Sequence, residues 1–419
     1  MVVLVVGWAS EAQGYIHDIS IDNDDRNHFF ITNFGFLQGG YFSIEIFEFK
    51  VNGEDLKEVD SPDSDFGFYV KISSTDQSQI LDESHQCTLK LPTKSKELKW
   101  NITSKDTWEV ETEEDGLYNF FFVNCANTPI SFKIKVTEFN VIGGKQVYLP
   151  IGIDNLPTIY AVFTVLFLIA TLVWIIGAMR GKETLVNRVH YIMTLLLFFK
   201  ILALFSRAIE FHFLKATGNA EGWNIPYYVF AFCKGIVLFS AVALIGMGYT
   251  FFKYYLSDRD SKILLVVLPL QVLANVANII STEGSWGSVS WRTWTTIFQI
   301  VDIACCVAVV VPIALSIKHL KEAAATDGKA AKNVEKLTLF RQFYLIVLAY
   351  IYFTRIVVVF TKLAVPFHVE WINYVLEEGA SLAFYIIIGY KFRPKKDSPY
   401  FETGTGENDE NEIELNELT

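Results

Sequence analysis

Charge is scarce in this 419-residue chain: 19% of its residues are Asp, Glu, Lys or Arg, against 52% hydrophobic and 15% aromatic. That balance is too apolar for an ordinary soluble protein of this size, and it excludes a disordered or collagen-like chain. Basic residues are the minority, 35 against 46 acidic, for a formal net charge of -11. The concentrated basic face that nucleic acid demands is therefore missing, and nucleic acid is excluded as a partner. Cysteine is short too, at five, and no Cys/His spacing around Cys233, Cys305 or Cys306 resembles a metal site. His190 and His212 lie at opposite ends of one apolar run and His319 lies outside it, so a metallohydrolase lacks convergent ligands. No Gly-x-Ser-x-Gly elbow occurs, and the last apolar run has no lysine before Lys391, which removes retinal chemistry. The expectation is a protein that is not an enzyme, with no catalytic residue, no metal and no cofactor.

What is present divides the chain. Residues 1–150 carry 12 Lys+Arg against 24 Asp+Glu, residues 151–400 carry 23 against 15, and residues 401–419 carry none against 7. Apolar runs long enough to cross a bilayer, about 20 residues each, recur from residue 157. They predict seven helices at 157–179, 188–214, 225–256, 261–280, 292–318, 336–364 and 369–391. Sixteen of the 23 basic residues in this region fall on one side of the membrane, among them Arg180, Arg259, Lys321 and Arg393. Only Lys215 and Arg292 fall on the other. Basic loops stay cytoplasmic, so the tail should be cytoplasmic and the head luminal or extracellular. The expected domains are a signal-peptide remnant at 1–12, the head at 13–150, the helical bundle at 151–394 and an acidic, disordered tail at 395–419.

The head alternates apolar and polar residues with a period of two, as in Tyr41-Phe42-Ser43-Ile44-Glu45-Ile46. Strands are predicted near 15–21, 28–34, 41–51, 66–73, 86–91, 98–103, 117–124 and 131–139, separated by turn signals such as Gly39-Gly40 and Asn52-Gly53. Eight short strands imply an all-β sandwich. Cys87 and Cys125 are the head's two cysteines and form one possible bridge, pinning two strands if the head sits in an oxidising lumen. Asn101-Ile102-Thr103 is the one N-glycosylation sequon. The acidic run Glu109, Glu111, Glu113, Glu114, Asp115 matches no ordered calcium loop and reads as a solvated edge.

Ionisable groups inside spans are expensive and mark candidate sites. Span two carries Lys200 and Arg207, seven apart, with Glu210 three beyond on the same face, so Arg207 and Glu210 can pair. Span three carries Lys234, span five Gln299 and Asp302, span six Arg355 and Lys362, and span seven Glu377 and Glu378. Together they suggest a polar interior, read as interhelical ion pairs that fix packing, as a pocket for a lipid headgroup or other anion, or as an ion pathway.

Rhodopsin-like signalling lacks its marks: Asp258-Arg259 is followed by Asp260, and span seven lacks Asn-Pro-x-x-Tyr. Instead, Pro269-Leu270-Gln271-Val272-Leu273-Ala274-Asn275, Lys336-Leu337-Thr338-Leu339-Phe340-Arg341-Gln342, Tyr350-Ile351-Tyr352-Phe353-Thr354-Arg355 and Gly389-Tyr390-Lys391-Phe392-Arg393-Pro394 resemble the lung seven-transmembrane receptor family, also described as GOLD-domain seven-transmembrane (GOST) proteins. The resemblance is nearest to the orphan GPCR-like branch that includes plant candidate receptors, and in the head Phe34-Gly35-Phe36 and Asn124-Cys125 share it. It implies a luminal GOLD-like sandwich on a membrane α-helical bundle of seven helices, residence in Golgi and trafficking membranes, sorting of membrane-protein cargo bound by the head, and a phospholipid-accessible cavity that would give Lys200, Arg207, Lys234 and Arg355 a task. Nothing in these residues establishes G-protein coupling. The alternatives are a receptor for a peptide or lipid, and an ion channel or transporter.

Overall fold

The computed structural model describes residues 16–55, 65–73, 87–93, 95–102, 107–179, 188–246 and 365–392, with isolated positions between 247 and 364. The head is a sandwich of two antiparallel sheets. One sheet runs β1 (Ile16–Asp24), β9 (Ile130–Ile142), β3 (Tyr41–Val51), β4 (Glu54–Asp55), with β7 (Thr107–Glu111) also on β3 and β10 (Lys145–Val147) also on β9. The other runs β2 (His28–Phe36), β8 (Gly116–Asn124), β5 (Phe66–Ser73), β6 (Glu97–Asn101).

Alternation sets the core. Phe42, Ile44 and Ile46 face inward from β3, and a bulge between Ile46 and Glu48 then shifts the parity by one, so that Phe49 is buried and Phe47 is expelled to solvent. Phe122 of β8 lies at the centre, with ring centroids 5.3 Å from Phe29, 5.4 Å from Phe68 and 4.8 Å from Phe132. These offset and edge-to-face pairs add roughly 0.5–1.5 kcal/mol each beyond the area they bury.

β8 is buried on both faces. Its outer face is covered by the segment following Cys87, where Leu89 packs with Tyr69, Phe121 and Val123. This segment, expected as a strand at 86–91, is a 3₁₀ turn over Thr88–Lys90, closed by Lys90 N–H donating to the Cys87 carbonyl. It serves as a cover. The Cys87–Cys125 disulfide is formed, with its Cα atoms 5.3 Å apart. It fastens that cover to the end of β8 instead of joining two strands. The acidic run begins on β7, which among the described residues pairs only with β3, so Glu109 and Glu111 lie on an edge there.

Four described helices follow: α1 (Leu156–Met179), α2 (Arg188–Thr217), α3 (Asn224–Gly246) and α4 (Trp371–Lys391), the last at the seventh expected span. Two of them contain stretches long and apolar enough to cross a membrane, Leu156–Gly177 and His190–Thr217. On α1 the residues Val162, Val165, Ile169, Leu172, Val173 and Ile176 are exposed, whereas Tyr160, Phe163 and Phe167 are buried against the neighbouring helices. An apolar surface of this kind suits hydrocarbon. The expected spans at 261–280, 292–318 and most of 336–364 lie outside the described residues.

Head and bundle share one continuous core, from Ile134 and Val136 through Leu149, Ile153 and Leu156 to Phe211 and Leu214. Backbone hydrogen bonds stitch the seam: Ile16 N–H to Gly218 O, Tyr148 N–H to Lys215 O, Ile151 N–H to Gly35 O and Trp371 N–H to Gly152 O. Gly152 has φ +98°, and a Cβ there would fall 1.8 Å from the Phe367 carbonyl. Gly53 shares the positive φ, at +83°, but has open space around it. Gly152→Ala should therefore lower the thermal unfolding temperature of the full chain clearly more than Gly53→Ala, which carries the backbone penalty alone, about 1 kcal/mol. Equal shifts would contradict the seam.

Candidate functional site

The polar interior is built on α2. Lys200, Leu204, Arg207 and Phe211 recur at helical spacing, so one buried face carries both cations among apolar neighbours. Lys200 Nζ donates to Glu378 Oε2 of α4 at 2.6 Å, and it lies 5.3 Å from the centroid of the Phe167 ring on α1. Both partners are nearly inaccessible, at 6% and 4% side-chain exposure, so this ion pair is desolvated and joins two helices far apart in the chain. One helical turn beyond Leu204, Arg207 Nη1 donates to Glu210 Oε1 at 2.8 Å, and its guanidinium sits 4.6 Å from the Phe211 ring and 4.4 Å from the Tyr227 ring of α3. Planar guanidinium stacked between rings is a geometry that lysine does not reproduce.

Between these pairs lies a small cavity, lined by Tyr160 from α1, Lys200 and Arg207 from α2, Tyr227 and Lys234 from α3, and Glu378 from α4. Three cations and two phenols thus face one carboxylate. Lys234 is 8% exposed, and among the described residues no hydrogen bond or ion pair engages it. Glu377 is buried on α4 beside Glu378, outside the cavity lining. Tyr350 and Ser381 hydroxyls meet at 2.7 Å, and His190 Nε2 reaches the Phe392 carbonyl at 2.9 Å, tying the start of α2 to the end of α4.

Of the sequence-expected residues, Lys200, Arg207, Glu210, Lys234, Glu377 and Glu378 are all buried, and the structure gathers Lys200, Arg207, Lys234 and Glu378 around one cavity. Gln299, Asp302, Arg355 and Lys362 lie outside the described residues. Tyr160 and Tyr227 escaped sequence reasoning, because a tyrosine in an apolar run is indistinguishable there from a packing aromatic. Asn101 closes β6, paired with Gly67 on β5 at the edge of its sheet, and it is half-buried. No group of three or more metal-binding side chains occurs among the described residues.

The sandwich and the apolar helices define a membrane protein with an all-β head and a helical bundle. The GOST seven-transmembrane domain model matches residues 155–399, and the CAND6/7 N-terminal domain model matches residues 17–140. An Arabidopsis thaliana protein named candidate G-protein coupled receptor 6 is 34% identical over 412 residues, covering 95% of this chain and 93% of the relative. The chain belongs to the GOST seven-transmembrane family, with a GOLD-like β head of the CAND6/7 type.

Removing one partner of a buried pair strands a charge at a typical loss of about 3–5 kcal/mol. Arg207→Met should therefore lower stability by that order in a detergent unfolding series. Arg207→Met combined with Glu210→Gln should lose less than the two single losses added together. Strict additivity would mean that the two side chains do not act as a pair.

Proposed function

We propose that this receptor-like membrane protein works in the secretory pathway. Its head faces the lumen, where it binds a protein cargo or peptide, and its bundle holds an anionic group, such as a phospholipid headgroup, in the cavity between α1, α2, α3 and α4. The single observation that carries the reading is the charge balance of the cavity: Lys200 and Arg207 each have a carboxylate partner, whereas Lys234 faces the same space without one among the described residues. A buried ammonium favours an oxyanion as its counter-charge, and Tyr160 and Tyr227 line the same space. Sorting is supported by the family, by the basic bias of the loops and by the disulfide in the head, a bond that persists in oxidising compartments.

A second reading, a receptor sensing a peptide or lipid, is favoured by the name of the Arabidopsis relative. Location separates the two. A tagged chain resident in the Golgi, with a processed glycan on Asn101, supports sorting. A plasma-membrane chain supports sensing, and an unmodified Asn101 counts against the luminal head.

The cavity is tested by mass spectrometry of anionic lipids and carboxylates retained by the purified chain. Lys234→Met should retain at least tenfold less of the bound anion than the parent while keeping its unfolding temperature. Equal retention would contradict the assignment.

A further inference from the structure

The inner face of β9 reads Ile130, Phe132, Ile134, Val136 and then, at the same parity, Glu138 and Asn140. Asn140 has an evident task, since its side-chain amide donates to the Gly35 carbonyl and its oxygen accepts from Leu37 N–H. Glu138 has none. It is 0% exposed, and among the described residues neither of its carboxyl oxygens has a hydrogen-bond partner. The nearest counter-group recorded is His17 Nε2 of β1, 3.8 Å from Oε2, itself buried on the same inner face.

Both residues stand at the seam. Ile16, beside His17, donates its N–H to Gly218 at the end of α2, and Asn140, two residues past Glu138, holds the same Gly35 carbonyl that Ile151 N–H reaches. A bare carboxylate in that position is costly, because burial without donors forfeits its hydration.

We infer that the buried His17–Glu138 pair makes the attachment of the head to the bundle sensitive to the acidity of the compartment the head faces, tight under mildly acidic conditions and looser at neutral pH.

The groups around the pair leave the proton to these two residues. From β3 the residue in register with Glu138 is Phe42, and Ile44 follows it inward. Across the layer Tyr118 packs on Phe42, its phenol pushed up to about 12 by burial and its hydroxyl donating to the Glu114 carbonyl. At the end of α2, Lys215 Nζ donates to the Asp154 carbonyl at 2.8 Å. Asp18, Glu45 and Lys135 stand at the opposite parity, toward the outer face.

Burial pushes the Glu138 carboxyl well above its ordinary range and draws His17 down to about 4. For Glu138, whose folded value is raised, the stabilising contribution is complete below its unfolded value near 4.3 and is lost as pH rises through the folded value. For His17, whose folded value is depressed, the contribution is complete above about 6.5 and is lost as pH falls toward about 4. Between about 4.5 and 6.5 the two slopes oppose each other and stability is flat. Above that window only Glu138 acts, and the seam weakens by up to about tenfold per pH unit until its carboxyl is ionised.

Amide hydrogen exchange of the full chain in lipid nanodiscs, corrected for intrinsic rates, tests this on peptides covering residues 16–21 and 148–156. At pH 7.5 they should open several-fold more often than at pH 5.5. Glu138→Gln, which keeps the neutral shape, should abolish the loss of protection at pH 7.5 and leave those peptides at least as protected there as at pH 5.5, since only the His17 slope then remains. His17→Phe should keep it. Equal protection of the parent at the two pH values, or a loss of protection at pH 7.5 that survives Glu138→Gln, would overturn the inference. If Glu138→Gln does not fold, the parent profile with His17→Phe decides: weaker protection at pH 7.5 in both supports the inference, and a flat or reversed profile in either sinks it.

Discussion

The bundle depends on one expensive arrangement, charge held inside hydrocarbon. Lys200 on α2 and Glu378 on α4 meet at 2.6 Å with almost no access to solvent. Separated, each would have to be neutralised or would drag water into the interior; together they are tolerated, and they lock two helices that lie 178 residues apart in the chain. Such a pair adds little stability relative to an apolar substitute of the same shape. What it supplies is position. Glu378 lines the cavity in contact with Lys200, and Lys234 and Arg207 face a space whose charge is already part-balanced.

The same logic of fixed position runs upward into the head. The linker between β10 and α1 is short, and its carbonyls and amides are engaged with β2, α2 and the start of α4. Through the Gly152 carbonyl, which accepts from Trp371 N–H, the linker touches the very helix that carries Glu378. A ligand in the sandwich and an anion in the bundle would therefore act on one contiguous body, with a shared apolar core and no flexible tether between them.

Much of this was legible in the sequence because it rests on periodicity. Strands β1, β2, β3, β5, β8 and β9 and the starts of α1, α2 and α3 follow from period-two and apolar-run patterns. The pairing of Arg207 with Glu210 follows from their helical spacing. The misses have physical causes. Segment 86–91 carries strand-like residues but lies over the outer face of β8, where packing of Leu89 decides its shape. β7 was obscured by the acidic run that continues beyond it. The partner of Lys200 could not be chosen from sequence, since Glu377 and Glu378 are adjacent and only the rotation of α4 selects between them. Glu138 was visible as a polar residue at a core-parity position on β9, a signal that is easy to pass over when the strand is otherwise regular.

The most direct measurement is a double-mutant cycle across α2 and α4, using Lys200→Met, Glu378→Leu and the two combined, read as unfolding free energy of the full chain. Each single change should lower stability by about 3–5 kcal/mol, and the double change should recover most of that loss, because no charge is left stranded. Losses that simply add, or single changes without effect, would mean that the two side chains do not share one buried environment and that the polar interior is not organised around them.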